Sequence, residues 1–219
     1  MPFKPILTAR PEDGESIPLL VWRLPAPMRA VSSAPLGGGI GQREWVINAT
    51  VPMSYARDDP HAHLAALAGG LGLDGPGVGL LTGVDVTQRV AAVDGAAEVW
   101  ATVGLGAPIL AAAEREVPRQ PDPRPGTINI VAFAPVRLSD AALVNAVATI
   151  TEAKAQALWE LGLAATGTAT DAVTVLCPTD GPAEPYGGPL SRWGARLARA
   201  AHRAVREGGS RPKIPWSER

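Results

Sequence analysis

Three hydroxyls and one carboxylate lie within the six residues 166–171 (TGTATD), directly before an apolar run that is typical of a buried strand. A threonine becomes a nucleophile only beside a base, and Asp171 could be that base for Thr168 or Thr170. The same hydroxyls can instead cap the backbone of a loop. The segment therefore predicts either nucleophilic chemistry or a hydrogen-bonded turn, and the residues alone leave both open.

A glycine-rich loop at residues 37–41 (GGGIG) is the second candidate. Glycines let a backbone approach a ligand closely, and the amides of Gly37, Gly38 and Gly39 would be free to hold an oxyanion or a phosphate. The spacing is neither a P-loop nor a dinucleotide fingerprint, because no Lys-Ser/Thr pair and no helical pattern follow. The alternative is a tight turn between two strands.

Polar residues interrupt several apolar, strand-like runs. They are Asn48, Thr50, Thr82, Asp85 and Asn129. A buried polar group costs a few kcal/mol unless it is hydrogen-bonded, so such residues either contact a ligand or form a structural network. Asp85 is the most suggestive because it ends a nearly all-apolar run (78–85, VGLLTGVD), and strand ends commonly open into sites.

Two helical patterns carry charges. Thr151, Glu152 and Lys154 share a predicted helix, where Glu152 is about two positions off the apolar stripe and faces either a cleft or solvent. The last predicted helix carries arginines at steps of four and three, which predict a basic stripe that would meet an anion or form the solvated side of an amphipathic helix. The stripe comprises Arg192, Arg196, Arg199, Arg203 and Arg206.

The bulk composition narrows the function classes. The three histidines, His61, His63 and His202, show no zinc spacing, so we expect no catalytic metal and no resident cofactor. A net charge of -1, with Trp193 of the last predicted helix on the apolar side and not in the basic stripe, argues against nucleic-acid binding. A single cysteine and the lack of a signal-like or membrane-length apolar run predict a cytoplasmic protein without a membrane partner. A homo-oligomer remains open.

Periodicity and turn residues predict the elements that position these candidates. Strands are expected at 17–24, where Pro25 and Pro27 should stop the strand, and at 28–33, 44–51, 78–85, 89–93, 97–103, 127–134 and 172–176. Asp94-Gly95 predicts a type I′ hairpin turn between two of them.

Helices are expected at 59–68, with Asp59 as N-cap and a stop at Gly69-Gly70, at 107–116, at 139–161 with Ser139 as N-cap, and at 190–207. A proline-rich connector (117–125) and a flexible tail (208–219) complete the chain. The adjacent strands predict one α+β domain over 1–219, with mixed or antiparallel sheets layered with helices rather than a wound βαβ fold.

The motifs together resemble the adenosylcobinamide amidohydrolase family. In chain order they are SSAPLGGGIG (32–41), WVINATVP (45–52), GLLTGVD (79–85), GTINI (126–130), NAVATITEAK (145–154), GTATDAV (167–173) and GPLSRWG (188–194). The ordered series is more specific than any single motif and covers about 31–205. The resemblance implies hydrolysis of adenosylcobinamide to adenosylcobyric acid and 1-amino-2-propanol in corrinoid salvage, with the corrinoid as substrate and not as cofactor.

A fainter likeness to β-aminopeptidases and ornithine acetyltransferases implies an α/β/β/α sandwich. Amide hydrolysis needs an oxyanion site, and polar residues stand where strands end beside glycine loops. We therefore hypothesise that Gly37, Gly38 and Gly39 form that site, which contributes about 3 kcal/mol per donor. Asp171 or Glu152 would be the general base, and Thr168 or Thr170 the nucleophile or a water-positioning group. The corrin amides would meet polar residues at the strand ends, namely Asn48, Thr82, Asp85 and Asn129. The alternatives are a corrinoid-binding module without hydrolysis and an amidase for another small amide.

Overall fold

Two long antiparallel strands connect the halves of the fold, β2 (Glu15–Ser32) and β3 (Gly39–Thr50). The computed structural model describes residues 4–12, 14–114 and 126–211. Its other elements are β1 (Ile6–Glu12), α1 (Pro60–Gly70), β4 (Gly77–Thr82), a short 3₁₀ helix (Val86–Gln88), β5 (Val90–Asp94), β6 (Ala97–Val103), β7 (Ile128–Phe133), α2 (Asp140–Glu160), β8 (Ala172–Cys177) and α3 (Arg192–Ser210).

The strands form one mixed sheet in the order β4-β3-β2-β8-β7-β6-β5, with β1 added to β2. This sheet folds over on itself. Trp22 on β2 and Trp100 on β6 meet edge to face with ring centroids 6.5 Å apart, although β8 and β7 separate their strands within the sheet. Neighbouring strands are about 4.8 Å apart, so a flat sheet would hold these rings far from each other. The two halves therefore pack face to face.

Successive side chains of the strands point alternately to the inner and outer faces of the two half-sheets. On β3, Val46 faces the other half-sheet while Ile47 packs under Leu64 of α1. On the other half, Ile130 of β7 packs against α2 and α3 while Val131 faces inward. The result is four layers, α1, half-sheet, half-sheet and α2 with α3. The predicted α+β class, mixed sheet and layered sandwich are confirmed.

Two βαβ connections lie within this mixed sheet, which is not a wound βαβ fold. β3 and β4 are parallel neighbours joined through α1, and β7 and β8 are parallel neighbours joined through α2. Parallel neighbours need such a crossover. The sheet as a whole remains mixed because all other pairs are antiparallel.

The predicted stop at Pro25 and Pro27 was wrong. Both prolines lie between Arg23 and Met28, where the register with β3 shifts and no ladder pair exists. Proline lacks an amide hydrogen, and that lack costs nothing at an unpaired position. One bent strand therefore runs through both half-sheets where two short strands were expected.

The predicted helix at 107–116 was also wrong over the residues that the structure describes, 107–114, which are irregular. The backbone of Ile109 instead forms a bridge with Gly167. Asp59 does not cap α1 with its side chain, because its carboxylate pairs with Arg57 at 2.9 Å. Nothing in the residue pattern had pointed to β1, a strand that pairs only with β2.

The ends of the remaining elements are set by their caps. Ser139 caps α2 by accepting from Ala142 N at 3.1 Å, as expected, and Ser191 caps α3 in the same way. The hairpin is confirmed, with Gly95 and Ala96 as its turn and Gly95 at φ +60°. Helix α3 continues to Ser210, three residues beyond the predicted helix end at residue 207. The connector 117–125 and the tail beyond 211 lie outside the described residues.

Candidate active site

Asp171 lies immediately before β8, and four donors surround its carboxylate. Oδ1 accepts from Ile128 N at 2.9 Å and from the Thr168 hydroxyl at 2.5 Å. Oδ2 accepts from Thr168 N at 3.0 Å and from the Lys154 ammonium. The Ile128 amide is within reach because β7 and β8 are parallel and begin at the same edge. An ionised carboxylate offers about four lone-pair sites, so this one is held in a single orientation.

Lys154 was named from the sequence together with Thr151 and Glu152, but no catalytic or binding role was predicted for it. In the structure it is buried and only 6% exposed. Two features of the sequence mark it: it is one of three lysines in the chain, and it falls between Ile150 and Ala157 on the apolar stripe of α2. A lysine at helical spacing from core positions is buried unless the helix turns away.

Gly167 presses against this ion pair. A Cβ on Gly167 would stand 2.3 Å from Asp171 Oδ2 and 2.5 Å from Lys154 Nζ. Real Cβ atoms essentially never approach so closely, so a side chain at this position would force the ion pair to shift. The fit fixes where α2 meets the loop 166–171.

A second hydroxyl pair lies at the surface of the same loop. Thr127 Oγ1 and Thr170 Oγ1 are 2.6 Å apart, and Thr170 also donates to Gly126 O at 3.3 Å. Thr170 is exposed, whereas Thr168 is only 8% exposed. Ile109 borders this surface, since its backbone pairs with Gly167 at 2.8 Å. A bulky ligand would therefore meet the Thr127–Thr170 pair before it met Thr168.

Asn48 and Asn129 connect the two half-sheets. Asn129 Nδ2 donates to Asn48 Oδ1 at 2.9 Å and to Leu81 O at 2.8 Å, and Asn48 Nδ2 donates to Thr102 Oγ1 at 3.1 Å. Both asparagines are at most 2% exposed. These contacts form a structural network beside the Asp171 loop, and the predicted role in substrate binding stays a prediction.

Thr82 and Asp85 shape the turn after β4. Thr82 Oγ1 accepts from Val84 N at 3.1 Å, and Asp85 Oδ1 accepts from Thr87 N at 2.8 Å to cap the 3₁₀ helix. Asp85 is 1% exposed, so a ligand would need the turn to open before it could reach this carboxylate. The turn lies next to the candidate site, because Val84 packs against Gly104 near Thr127.

The glycine loop 37–41 packs against its own half-sheet. The carbonyls of Gly37 and Gly38 accept from the Arg43 guanidinium, and a Cβ at Gly37 would stand 1.9 Å from Gly77 O. Gly37 also has φ +72°, so close approach and backbone conformation both explain the glycine. Within the described residues no contact joins Gly37, Gly38 or Gly39 to Asp171, and their oxyanion role stays a prediction.

Glu152, the alternative base, is exposed on α2. No hydrogen bond or ion pair among the described ranges joins it to Asp171. The structure thus brings together Asp171, Thr168 and Thr170 from the predicted set and adds Lys154 and Thr127.

The histidines form no common site. His63 Nδ1 is 3.0 Å from the Tyr55 hydroxyl, with Glu12 3.8 Å from Nε2, and burial lowers the pKa of this imidazole. His202 pairs with Glu160 at 2.9 Å. Over residues 4–12, 14–114 and 126–211, no group of three or more His, Cys, Asp or Glu side chains has the arrangement of a metal site.

Three of the five arginines of the basic stripe on α3 pair with carboxylates of the described residues. Arg199 and Arg203 both bind Asp94 at the end of β5, and the hydrogen bond from Arg199 lowers the pKa of Asp94 to about 2. Arg206 lies 3.7 Å from Glu160. These pairs favour the interpretation of the stripe as the solvated side of an amphipathic helix.

A cleft of about 360 Å³ opens near the start of β4, lined by Arg23, Pro25, Glu44, Trp45 and Asp74 among others. It contains none of the predicted site residues. Among the helices in the part of the chain described, none is long and apolar enough to cross a membrane.

Comparison with known proteins gives consistent matches. A family model described as adenosylcobinamide amidohydrolase matches residues 5–213. An adenosylcobinamide amidohydrolase of Halobacterium salinarum is 36% identical over 193 residues, covering 85% of this chain and 82% of that protein. A protein of the same name from Methanosarcina mazei is 31% identical over 188 residues, covering 82% of this chain and 88% of the relative. The family match includes every predicted site residue.

Proposed function

Because the chain belongs to the adenosylcobinamide amidohydrolase family, we propose that it hydrolyses the amide that joins aminopropanol to the corrinoid of adenosylcobinamide. Water adds across this bond, which is a linear, non-peptide C–N bond. The products are adenosylcobyric acid and 1-amino-2-propanol. The observation that carries the proposal is the family match over residues 5–213.

The geometry at the start of β7 and β8 supports a hydrolytic site in the loop 166–171. Amide hydrolysis needs a nucleophile or an activated water, a proton donor for the leaving amine, and donors for the oxyanion. Here a carboxylate holds a threonine hydroxyl at 2.5 Å, the distance of a charge-assisted hydrogen bond. A second pair of hydroxyls faces the surface 2.6 Å from each other.

We assign the two threonines different roles. Thr170 is exposed, so it is the hydroxyl that reaches the scissile amide or its attacking water. Thr168 is buried beside Asp171 and donates its hydroxyl hydrogen to Asp171 Oδ1. Asp171 either accepts a proton itself or orients the group that accepts it. Its hydrogen bonds from Ile128 N and Thr168 N also hold the loop in place.

The test is incubation of purified protein with adenosylcobinamide, with the products followed by mass spectrometry. Wild-type protein should yield the corrinoid acid and the free amine. Asp171→Asn should lower kcat by at least about a hundredfold if the carboxylate acts in proton transfer. Arg199→Met, on the far side of α3, is a control that should keep full activity.

Each alternative function predicts a different outcome. A corrinoid-binding module would bind adenosylcobinamide in a titration and leave it intact. An amidase for another substrate would cleave simple amides and ignore the corrinoid. Wild-type activity in folded Asp171→Asn would remove this carboxylate from the mechanism.

A further inference from the structure

Lys154 is a buried cation whose presence stability alone does not explain. Ile150 and Ala157 flank it on α2 and are fully buried, and the lysine side chain is only 7% exposed. Replacing a buried ion pair with apolar residues of similar size is often neutral or stabilising. A charge in the apolar stripe of a helix is therefore a candidate for a role beyond holding the fold together.

The position of the ammonium shows what that role is. Lys154 is the donor to Asp171 that comes from a helix, whereas the Ile128 and Thr168 donors belong to β7 and to the loop itself. The two backbone amides bind one carboxylate oxygen each, and the ammonium adds a charged donor to Oδ2. Together these bonds leave Oδ1 facing the Thr168 hydroxyl.

The packing around Lys154 leaves little freedom. Gly167 allows the ammonium and the carboxylate to lie against its Cα, where any Cβ would collide with both. Helix α2 is anchored at its start by the Ser139 cap, and its buried face packs on β8 and α3. The lysine therefore reaches Asp171 from a rigid element, which is how side chains are held within the tolerances that catalysis needs.

We propose that Lys154 is a positioning residue of the amide hydrolysis, which acts by orienting Asp171 toward Thr168. The inference rests on the function proposed above. It predicts that loss of the ammonium lowers kcat and leaves KM nearly unchanged, because Lys154 itself is buried away from the substrate.

The experiment compares Lys154→Met, Lys154→Arg, Asp171→Asn and the double variant Lys154→Met/Asp171→Asn on adenosylcobinamide. We expect Lys154→Met to lower kcat about a hundredfold, the cost typical of a misplaced catalytic group. Lys154→Arg should recover part of that loss. The double variant should be no slower than Asp171→Asn alone, because residues that act as one unit are not additive.

Stability is separated from positioning by two further comparisons. Arg10→Met removes another buried cation, which pairs with the partly exposed Glu12 and donates to Thr50 O, and should lower the melting temperature without lowering kcat. The double variant has no unpaired buried charge, so it should melt above Lys154→Met and remain inactive. If Lys154→Met does not fold, Lys154→Arg and the double variant carry the test.

Three results would overturn the inference: wild-type kcat in folded Lys154→Met, losses that multiply in the double variant, or an equal loss of kcat in Arg10→Met. An inactive wild-type protein would instead overturn the proposed function itself. The two failures are distinguishable because the first needs an active wild-type enzyme.

Discussion

Replacing Gly167 with alanine tests the geometry of the candidate site with one methyl group. The added Cβ would stand 2.3 Å from Asp171 Oδ2 and 2.5 Å from Lys154 Nζ. The φ angle of Gly167 is not in the left-handed region, so the cost of alanine is steric. To fit the methyl group, the ion pair must separate or the loop must leave α2.

The magnitude follows from these contacts. Overpacking a tight site costs about 1–3 kcal/mol, and a weakened hydrogen bond between charged groups costs about 1.5–3 kcal/mol. We expect Gly167→Ala to lose about 3 kcal/mol of unfolding free energy. For a chain of this size that loss corresponds to a melting temperature about 6–12 °C lower.

The assay is thermal unfolding followed by circular dichroism, with kcat measured on the same preparation. Gly69→Ala is the matched control, because Gly69 lies in α1 and a Cβ there meets nothing within 4 Å. Alanine should stabilise that helix by up to about 1 kcal/mol. If Gly167→Ala melts like the wild-type protein and keeps its activity, the close packing of Lys154 and Asp171 is refuted.

Three other positions give independent predictions. Asn129→Ala should cost about 3 kcal/mol of unfolding free energy in a denaturant titration, because Asn48 Oδ1 and Leu81 O lose their buried donor; an unchanged midpoint would refute the network. The pKa of Asp94 is lowered to about 2, so its pairing stabilises the fold above the unfolded pKa and is lost as pH falls from about 4 to 2. Asp94→Asn should reduce the loss of unfolding free energy over this pH range by about 1 kcal/mol, and an unchanged loss would contradict the pairing. Burial lowers the pKa of His63, so the neutral imidazole stabilises the fold above about pH 6.5, and this stabilisation is lost as pH falls through the lowered pKa. His63→Gln should remove this pH dependence of the melting temperature. An unchanged pH dependence in His63→Gln would contradict the assignment.

Elements with a strong local signal could be predicted from the sequence. The Ser139 cap and the apolar stripe of α2 define that helix without any tertiary information. The glycine of the β5–β6 turn does the same for the hairpin. In these segments local preference and tertiary packing favour the same structure, which is the condition under which sequence patterns succeed.

The failures occur where tertiary contacts override local preference. Pro25 and Pro27 are strand breakers in general, yet they lie at the one shift in register where β2 needs no amide hydrogens. Residues 107–114 have helical composition, but the backbone of Ile109 pairs with Gly167 instead. Neither pairing partner is visible from the local sequence.

The candidate site was predicted in part. The residue types and spacing of the loop 166–171 predicted a candidate site, and in the structure the Thr168 hydroxyl donates to Asp171. Lys154 was named without a role, because a charged residue on a helix is usually solvated. The sequence did place Lys154 in the apolar stripe of α2, and this position decides its burial more than its charge does.

The most direct test of the central claim is hydrolysis of adenosylcobinamide in water labelled with heavy oxygen. The account predicts that the wild-type protein releases 1-amino-2-propanol and an adenosylcobyric acid whose new carboxylate carries one heavy oxygen, while Asp171→Asn forms almost none. Intact adenosylcobinamide after incubation with folded wild-type protein would contradict the account.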